Sequence, residues 1–474
     1  MSSTETVSWR AVLNGPNAGM FAVLSFGVWL HAADSTVVAT LMPSVVFDIG
    51  GAELISWNYM LYELASIAAA CCGALVARRF GLRRAMIWSA VAFGLGCAIS
   101  AVTPIMGGML LGRAIQGAGG GLLVALTMIG ASSLFPSHYA PRVMAAISAV
   151  WGASAFVGPL IGGFFAEYSD WRYGFWAFVA QSGALALALR LALPASLEAG
   201  DETARIPWRR LAVLSASVLA VAVAGLKDTF SMQSAGMCLF GLLGLILFLR
   251  LDGRAGNDRL LPRAIGDIRA PAWSGLTGVF LLAVVTTPFV VYGPVLLSIL
   301  HGIGPIAAGY MVALESVAWT VGALAFSGAV GASQQRVIRY SFIGVAVGCA
   351  GLSIFVASGP IWLLLPLLFL QGMGFGACFG HILHRCVDLV PQDDKDRAAS
   401  ALSSIQTFGY ALGAAVIGLI ANAVGFGVDP GPATAGAASH WVFGAMVPVA
   451  LIAVLTIRLL PQTNPTPHAP EGAA

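Results

Sequence analysis

Long apolar runs constrain this chain more than any other feature. They recur from residue 20 to residue 460, and no sizeable polar domain separates them. Each run has about the 20 residues that a helix needs to cross the hydrocarbon core of a bilayer. With 58% apolar and only 9% charged residues, the chain has too little polar surface to coat a soluble globule of 474 residues. The sequence therefore predicts a multi-pass, all-α membrane protein.

The distribution of basic residues gives a second estimate of the topology. Cytoplasmic loops collect Lys and Arg. With both termini inside, Arg172 and Lys227 alone face outward and Arg113 lies within a span, which leaves 21 of the 24 Lys and Arg residues inside. The basic segments 190–210 and 250–269 both lie inside only if two extra spans separate them, which favours fourteen spans over twelve. The predicted spans are 20–42, 55–77, 85–104, 107–131, 142–166, 174–194, 211–227, 232–249, 273–299, 305–330, 338–357, 360–384, 398–424 and 438–460.

The order of the spans predicts two bundles of six helices with two additional helices between them. The predicted segments are a cytoplasmic N-terminus 1–19, an N-terminal bundle 20–194, a linker 195–272 with two transmembrane helices, a C-terminal bundle 273–460 and a disordered cytoplasmic tail 461–474. The first 19 residues do not have the pattern of a signal peptide, so the first span should remain in the mature protein.

Two short internal repeats support the two-bundle organisation. Residues 73–75 and 322–324 both read Gly-Ala-Leu, and the pair Gly158 and Gly162 has the spacing of Gly409 and Gly413. Two bundles related by an axis along the membrane normal place a substrate site between them, near the middle of the membrane.

The fifth span contains an unusual set of small residues and a proline. Its members are Gly152, Gly158, Pro159, Gly162 and Gly163. Proline removes a helix hydrogen bond and kinks the helix, whereas glycines let a neighbouring backbone approach closely. The segment is therefore expected to bend or slide, although Gly158 and Gly162 alone also fit ordinary tight packing.

The set in span five resembles the antiporter motif of the major facilitator superfamily. Further matches to the fourteen-span drug:proton antiporter branch are residues 34–43 in span one, Trp57 and Tyr62 in span two, and Arg113-Ala114-Ile115-Gln116-Gly117 in span four. The loop at 73–84 departs from the family pattern because it lacks the acidic residue and is longer by one, which puts the family's latch in doubt. The resemblance implies a major facilitator fold, alternating access, protons as the coupling ion and a place in the cytoplasmic membrane.

Three acids lie inside predicted spans, where each needs a partner, a water-filled cavity or a proton. Asp34 and Glu63 lie about nine residues, or on the order of 13 Å, from the outer ends of spans one and two. Arg113 lies at nearly the same depth, so we predict that it pairs with Asp34, directly or through water, and the family places this arginine near its proton site. A static structural pair is the alternative. Glu315 is the candidate acid of the second bundle.

These ionisable residues are the predicted proton-coupling set. Asp34 is the first candidate for the coupling acid, and His31, one turn away, is expected either to tune or relay the proton or simply to be hydrogen-bonded in the bundle. Glu63 and Glu315 are expected to be second proton sites, to attract a cationic substrate, or to pack against a hydroxyl or amide neighbour.

Aromatic and amide side chains on the same spans suit a loose binding pocket, although each alone also fits simple packing. The candidates are Trp57, Tyr62, Gln116, Tyr292, Tyr310, Gln406 and Tyr410. The seven cysteines are interpreted as small core residues, and the cluster His381, His384, Arg385 and Asp388 as a solvated helix end, so no metal and no cofactor are expected. The net charge of +3 gives no reason to propose nucleic acid as a partner.

The sequence thus predicts a proton-coupled exporter of lipophilic small molecules that works as a monomer in the lipid bilayer. The alternative is a dedicated exporter of one endogenous product, such as a siderophore or another secondary metabolite. An importing symporter is disfavoured by the proline motif. A membrane enzyme should show clustered catalytic groups at one membrane face and a sensor an added soluble domain, and the sequence shows neither, so no enzymatic activity is expected.

Overall fold

The structure is a computed structural model that describes residues 18–135, 140–194, 207–224, 232–256, 259, 267–391 and 395–461. This part of the chain is helical, with short 3-10 turns at Ala52–Leu54 and Ile361–Leu363. The helices are α1 Ala18–Ile49, α2 Ile55–Cys71, α3 Gly73–Phe80, α4 Leu82–Val102, α5 Met106–Ser133, α6 Ala140–Tyr168, α7 Trp171–Ala192, α8 Trp208–Ala224, α9 Met232–Gly253, α10 Trp273–His301, α11 Pro305–Phe326, α12 Gly331–Ser358, α13 Leu364–Asp388, α14 Lys395–Ala423, α15 Pro432–Gly444 and α16 Met446–Ile457.

Within the described residues, twelve segments are long and apolar enough to cross a membrane, and α2 with α3, bent by 53°, makes a possible thirteenth. The prediction of a multi-pass helical membrane protein is confirmed. The count of fourteen is not confirmed, because the described part of α8, at the predicted seventh span, has 17 residues. Most of the predicted segments 1–19 and 461–474 lies outside the described residues.

Helices α1–α7 pack on one another, and so do α10–α16. The two bundles use the same glycine contacts. Gly117 of α5 lies against the backbone of Tyr62 in α2, and Gly372 of α13 lies in the same way against Glu315 in α11. One turn later, the equivalent contacts are Gly121 on Ser66 and Gly376 on Trp319. Glu315 therefore occupies the position in the second bundle that Tyr62 occupies in the first.

These contacts correct the repeat proposed from the sequence. Residues 116–121 and 371–376 share the pattern Gln-Gly-x-Gly-x-Gly, and it is this pair that the two bundles place in equivalent positions. In the resulting register Gly322 is equivalent to Ala69 and not to Gly73, so the predicted Gly-Ala-Leu repeat is wrong by one helical turn. Three identical small residues are too common in packed helices to fix a register.

The two bundles make close contacts at one end of the molecule, which is here called the closed end. A Cβ atom added to Gly163 of α6 would lie 2.8 Å from the Cα atom of Ile306 in α11. On the other side of the molecule, Asn422 Nδ2 of α14 donates a hydrogen bond to the carbonyl oxygen of Glu53, at 2.9 Å. The closed end is the end at which these four residues lie.

Helices α8 and α9 form a pair outside the bundles. Gly241 and Gly244 of α9 lie against Ser217 of α8, and Arg210 Nη1 contacts Asp252 Oδ1 at 2.7 Å. Helix α8 in turn packs against α2 of the first bundle and α14 of the second. The pair therefore covers the seam between α2 and α14.

Two sequence interpretations need correction. The segment 73–84, interpreted as a loop, is largely helical, because α3 carries Arg78 and Arg79 in its last turn and only Gly81, with φ of +80°, separates it from α4. The cluster near residue 385 is not simply a solvated helix end. Arg385 is 2% exposed, and its Nε atom donates to Gln334 Oε1 at 2.9 Å.

Candidate functional site

A network of three polar side chains is buried in the first bundle. Asp34 of α1 and Arg113 and Gln116 of α5 are each at most 1% exposed. Arg113 Nη1 lies 2.6 Å from Asp34 Oδ2, and Gln116 Nε2 donates to Asp34 Oδ1 at 2.5 Å. Arg113 Nη1 also donates to Gln116 Oε1 at 2.9 Å, which closes the network. The similar depth of Asp34 and Arg113 in the membrane predicts that they pair, and the structure shows this pair as a direct contact.

A second layer of side chains holds this network in place. The guanidinium of Arg113 lies 4.1 Å from the ring centroid of Tyr62, a cation–π contact. The Tyr62 hydroxyl lies 2.8 Å from His31 Nδ1, and the edge of Trp151 contacts the His31 ring. A Cβ atom added to Gly120 would lie 2.9 Å from both His31 Nδ1 and Tyr62 Oη, so a glycine there leaves room for their hydrogen bond.

The two other acids face one region from opposite bundles. Glu63 of α2 is 7% exposed, and Glu315 of α11 is partly buried, with an Oε2 atom that has no hydrogen-bond partner within the described structure. Both carboxyl groups are close enough to Tyr59 and Tyr410 to interact with them electrostatically. Gln406 Nε2 donates to Tyr410 Oη at 3.0 Å. This cluster of acids, hydroxyls and an amide lies across the interface between the bundles.

Three predicted pocket residues lie elsewhere. Trp57 lies in the first turn of α2, near the closed end. Tyr292 is fully buried, and its ring packs against Phe426 with centroids 5.9 Å apart. Tyr310 contacts Phe156 across the seam between α6 and α11, at 5.7 Å between centroids. The ring contacts of Tyr292 and Tyr310 are packing contacts, and the Tyr292 hydroxyl is near Ser56 of α2.

The small residues of α6 bring two partner helices close. Gly158 and Gly162 pack on α1, where a Cβ atom added to Gly162 would lie 2.7 Å from the Val37 carbonyl oxygen. Gly163 packs on α11 at Ile306. Helix α6 thus lies between α1, which carries Asp34, and α11, which carries Glu315.

Pro159 and Gly152, the two other members of this set in α6, differ in how closely a neighbouring helix approaches them. Pro159 lies within a continuous α6 and faces Gly309, whose added Cβ atom would lie 2.9 Å from Pro159 Cβ. The motif predicts close packing at Gly152, but among the described residues no atom lies within 4 Å of a Cβ atom added there.

The equivalence between the bundles shows that the buried network is not repeated. With Gln116 equivalent to Gln371, the position of Arg113 is taken by Leu368 in α13. Gly162 of α6 packs on Val37 of α1, and Gly413 of α14 packs in the same way on Val284 of α10. This equivalence places Leu281 at the position of Asp34. The second bundle therefore carries a carboxylate at Glu315 without the aspartate–arginine pair.

Sequence reasoning missed Tyr59 and Gln371. Tyr59 lies four residues before Glu63 on the same helix, and this spacing could have identified it. Gln371 is 2% exposed, and its Oε1 atom has no hydrogen-bond partner in the described part of the chain. The repeated Gln-Gly pattern could have identified it as the counterpart of Gln116. Among the described residues, no group of three or more His, Cys, Asp or Glu side chains could hold a metal ion.

The family model described as the Major Facilitator Superfamily matches residues 24–414 and 333–474. The chain belongs to this superfamily. A probable multidrug-efflux transporter of Mycobacterium tuberculosis is 30% identical over 89% of this chain and 91% of its own length. Multidrug resistance protein 3 of Bacillus subtilis is 25% identical over 84% of this chain and 78% of its own length.

Solved structures support the same fold. A D-xylose–proton symporter matches with a TM-score of 0.66 and 16% identity, over 94% of this chain and 98% of the symporter. A bacterial homologue of the human lysosomal transporter Spinster, in an inward-facing and unoccupied conformation, matches with a TM-score of 0.66 and 13% identity, over 95% and 99% of the two chains. At these identities the likeness concerns the fold alone. The chain is thus a multi-pass membrane protein with the major facilitator fold.

Proposed function

We propose that this chain is a proton-driven exporter of lipophilic small molecules in the cytoplasmic membrane, with fourteen spans and both termini inside. The observation that carries the proposal is the buried network of Asp34, Arg113 and Gln116. The names of the relatives, among them multidrug-efflux transporters and multidrug resistance proteins, support export as the direction of transport.

The network supports proton coupling because its partners suit both protonation states of Asp34. An ionised Asp34 is compensated by Arg113 and accepts a hydrogen bond from Gln116. When Asp34 takes a proton, Arg113 keeps the Gln116 oxygen and the face of Tyr62 as partners. A proton taken up on one side and released on the other would thus alter the contact between α1 and α5, and this change drives the exchange of conformations.

We assign the closed end to the outer side of the membrane, since the basic residues predict that α1 begins inside. In the structure the two bundles are then in close contact near the outer side of the membrane. Substrate would bind between Glu63 and Glu315 in this state. Rocking of the bundles would expose it outside, where a proton reaching Asp34 promotes its release.

The test uses purified protein in proteoliposomes with an imposed pH gradient and a panel of fluorescent dyes. We expect dye transport in the wild-type chain to stop when a protonophore collapses the gradient, and Asp34→Asn to lose gradient-driven transport. Transport that persists without a gradient, or an Asp34→Asn variant with full activity, would refute proton coupling through Asp34. If no dye on the panel moves but extracts of the native cell contain one transported compound, the dedicated-exporter alternative holds.

A further inference from the structure

We propose that the second bundle binds the phosphate head group of an anionic phospholipid at the end opposite the closed end. The head group would lie between Arg339 of α12 and Arg385 of α13, and the acyl chains would follow the outside of α12. This inference does not depend on the export function proposed above, because it concerns a lipid that stays in the bilayer and is not transported.

The first observation is that Arg385 is buried without an acid. Only 2% of its surface is exposed, although it lies in the last turn of α13. Its Nε atom donates to Gln334 Oε1 at 2.9 Å, and its Nη1 atom donates to Gln335 Oε1. Two neutral amide oxygens orient a guanidinium group but do not cancel its charge. A buried charge without a counter-ion is costly, so this position favours the binding of an anion.

The charged side chains around Arg385 do not supply this anion. The nearest acid along the helix, Asp388, contacts His384 Nδ1 at 2.9 Å. Within the described residues, neither Arg385 nor Arg339 forms an ion pair. Arg339, on the neighbouring helix, is instead close enough to Arg385 for electrostatic repulsion. An anion between these two cations would replace the repulsion by two charge-assisted contacts, and phosphate oxygens match the geometry of arginine.

A chain of hydrogen bonds fixes the shape of this site. Gln334 Nε2 lies 3.4 Å from His381 Nδ1, and His381 Nε2 lies 2.8 Å from the carbonyl oxygen of Phe326 at the end of α11. Both ends of the Gln334 amide are thus occupied, which holds its oxygen on Arg385. The guanidinium group is therefore oriented before any anion binds, and this preorganisation lowers the cost of binding.

The outside of α12 indicates that the anion belongs to a lipid. One exposed face carries, in order from the start of the helix and within about 60° of one another around its axis, Arg336, Tyr340, Ile343 and Val347. The last three are 68%, 40% and 52% exposed. A basic, then an aromatic, then two aliphatic residues follow the order of head group, interface and acyl chains in a bilayer. A soluble anion would contact only the basic part of this face.

Thermal unfolding of the purified full chain in an uncharged detergent tests the proposal. The additives are dioleoylphosphatidylglycerol, which is anionic, dioleoylphosphatidylcholine, which has no net charge, and inorganic phosphate. We expect phosphatidylglycerol to raise the melting temperature by on the order of 3 °C and the other two by less than about 1 °C, because a ligand of the folded state stabilises it.

The decisive variant is Arg339→Gln, because Arg339 is exposed and its replacement should leave the fold intact. Without lipid, we expect this variant to be at least as stable as the wild-type chain, since the repulsion of Arg385 is removed. With phosphatidylglycerol, it should lose more than half of the temperature shift. The matched control is Arg190→Gln, which removes another exposed arginine from the same end of the molecule, in the first bundle, and should keep the full shift.

Several results would overturn the proposal. If phosphatidylglycerol stabilised Arg339→Gln as much as the wild-type chain, the head group would not lie at this site. An equal loss of the shift in Arg190→Gln would mean general attraction of the lipid to basic surface, and equal stabilisation by inorganic phosphate would exclude a lipid. Asp393 and Asp394 lie outside the described residues. A lower melting temperature on changing both to Asn, with no effect of phosphatidylglycerol on the wild-type chain, would assign the counter-charge to the chain itself.

Discussion

At the scale of single residues, the pair of Asp34 and Arg113 raises the question of whether it serves stability or transport. Removing one partner leaves the other charge buried without compensation, which typically costs about 3–5 kcal/mol, whereas replacing both by apolar or neutral groups of similar size is often tolerated. Stability and transport should therefore separate in a double variant.

We predict that Arg113→Leu alone strongly destabilises the protein, and that Asp34→Asn with Arg113→Leu restores most of the stability but no gradient-driven transport. Thermal unfolding in detergent and dye export in proteoliposomes measure the two effects. Recovery of transport along with stability in the double variant would mean that the pair is only structural.

The acids that face each other across the interface lead to a second prediction at this scale. Glu63 and Glu315 come from opposite bundles, and both are close enough to Tyr59 and Tyr410 for electrostatic interaction. We expect Glu63→Gln and Glu315→Gln to reduce export of cationic dyes about tenfold more than export of neutral ones, because only the cation loses a charge partner. Parallel dose–response curves for matched cationic and neutral compounds measure this, and equal losses for both classes would exclude charge selection.

At the scale of elements, α6 links the proton site to the second bundle. Its glycines contact α1 on one side and α11 on the other, so a shift of α1 around Asp34 reaches α11 by direct backbone contact. Gly162→Ala would place a methyl group 2.7 Å from the Val37 carbonyl oxygen and push α1 away. The substitution should at the same time favour the helix by up to about 1 kcal/mol, so any loss comes from packing and not from helix propensity.

We therefore expect Gly162→Ala to lower transport by about tenfold, and Gly236→Ala, at a position with open space on α9, to leave it unchanged. Initial rates of dye export at equal protein density provide the comparison. Equal rates for the two variants would show that the close approach of α6 and α1 is not required.

At the scale of the whole molecule, small contact residues allow the two bundles to meet at the closed end. A side chain at Gly163 would collide with backbone atoms of Ile306 and so act against this state. We predict that Gly163→Val shifts the population towards the state in which the closed end opens. Distances between spin labels should lengthen across the closed end and shorten across the opposite end, and unchanged distributions would contradict the role given to this contact.

Much of the fold was predictable because a bilayer leaves a chain few choices. Apolar length predicts helices, and the predicted spans overlap helices of the structure along the described residues, although spans 55–77 and 438–460 each fall on two helices. The paired depth of Asp34 and Arg113 also predicts their contact, since two opposite charges buried at the same level stabilise each other. The register between the bundles was not predictable from Gly-Ala-Leu, because many short matches occur by chance among small residues.

The sequence by itself therefore determined a helical membrane protein and one buried ion pair, because hydrophobic length and the cost of buried charge are local properties of the chain. Only the tertiary structure decided that Glu315 stands where Tyr62 stands in the first bundle, that Tyr292 is fully buried against Phe426, and that Gly152 faces open space. These facts depend on how helices rotate and tilt against one another, which is set by the sum of many weak packing contacts between residues far apart in the chain.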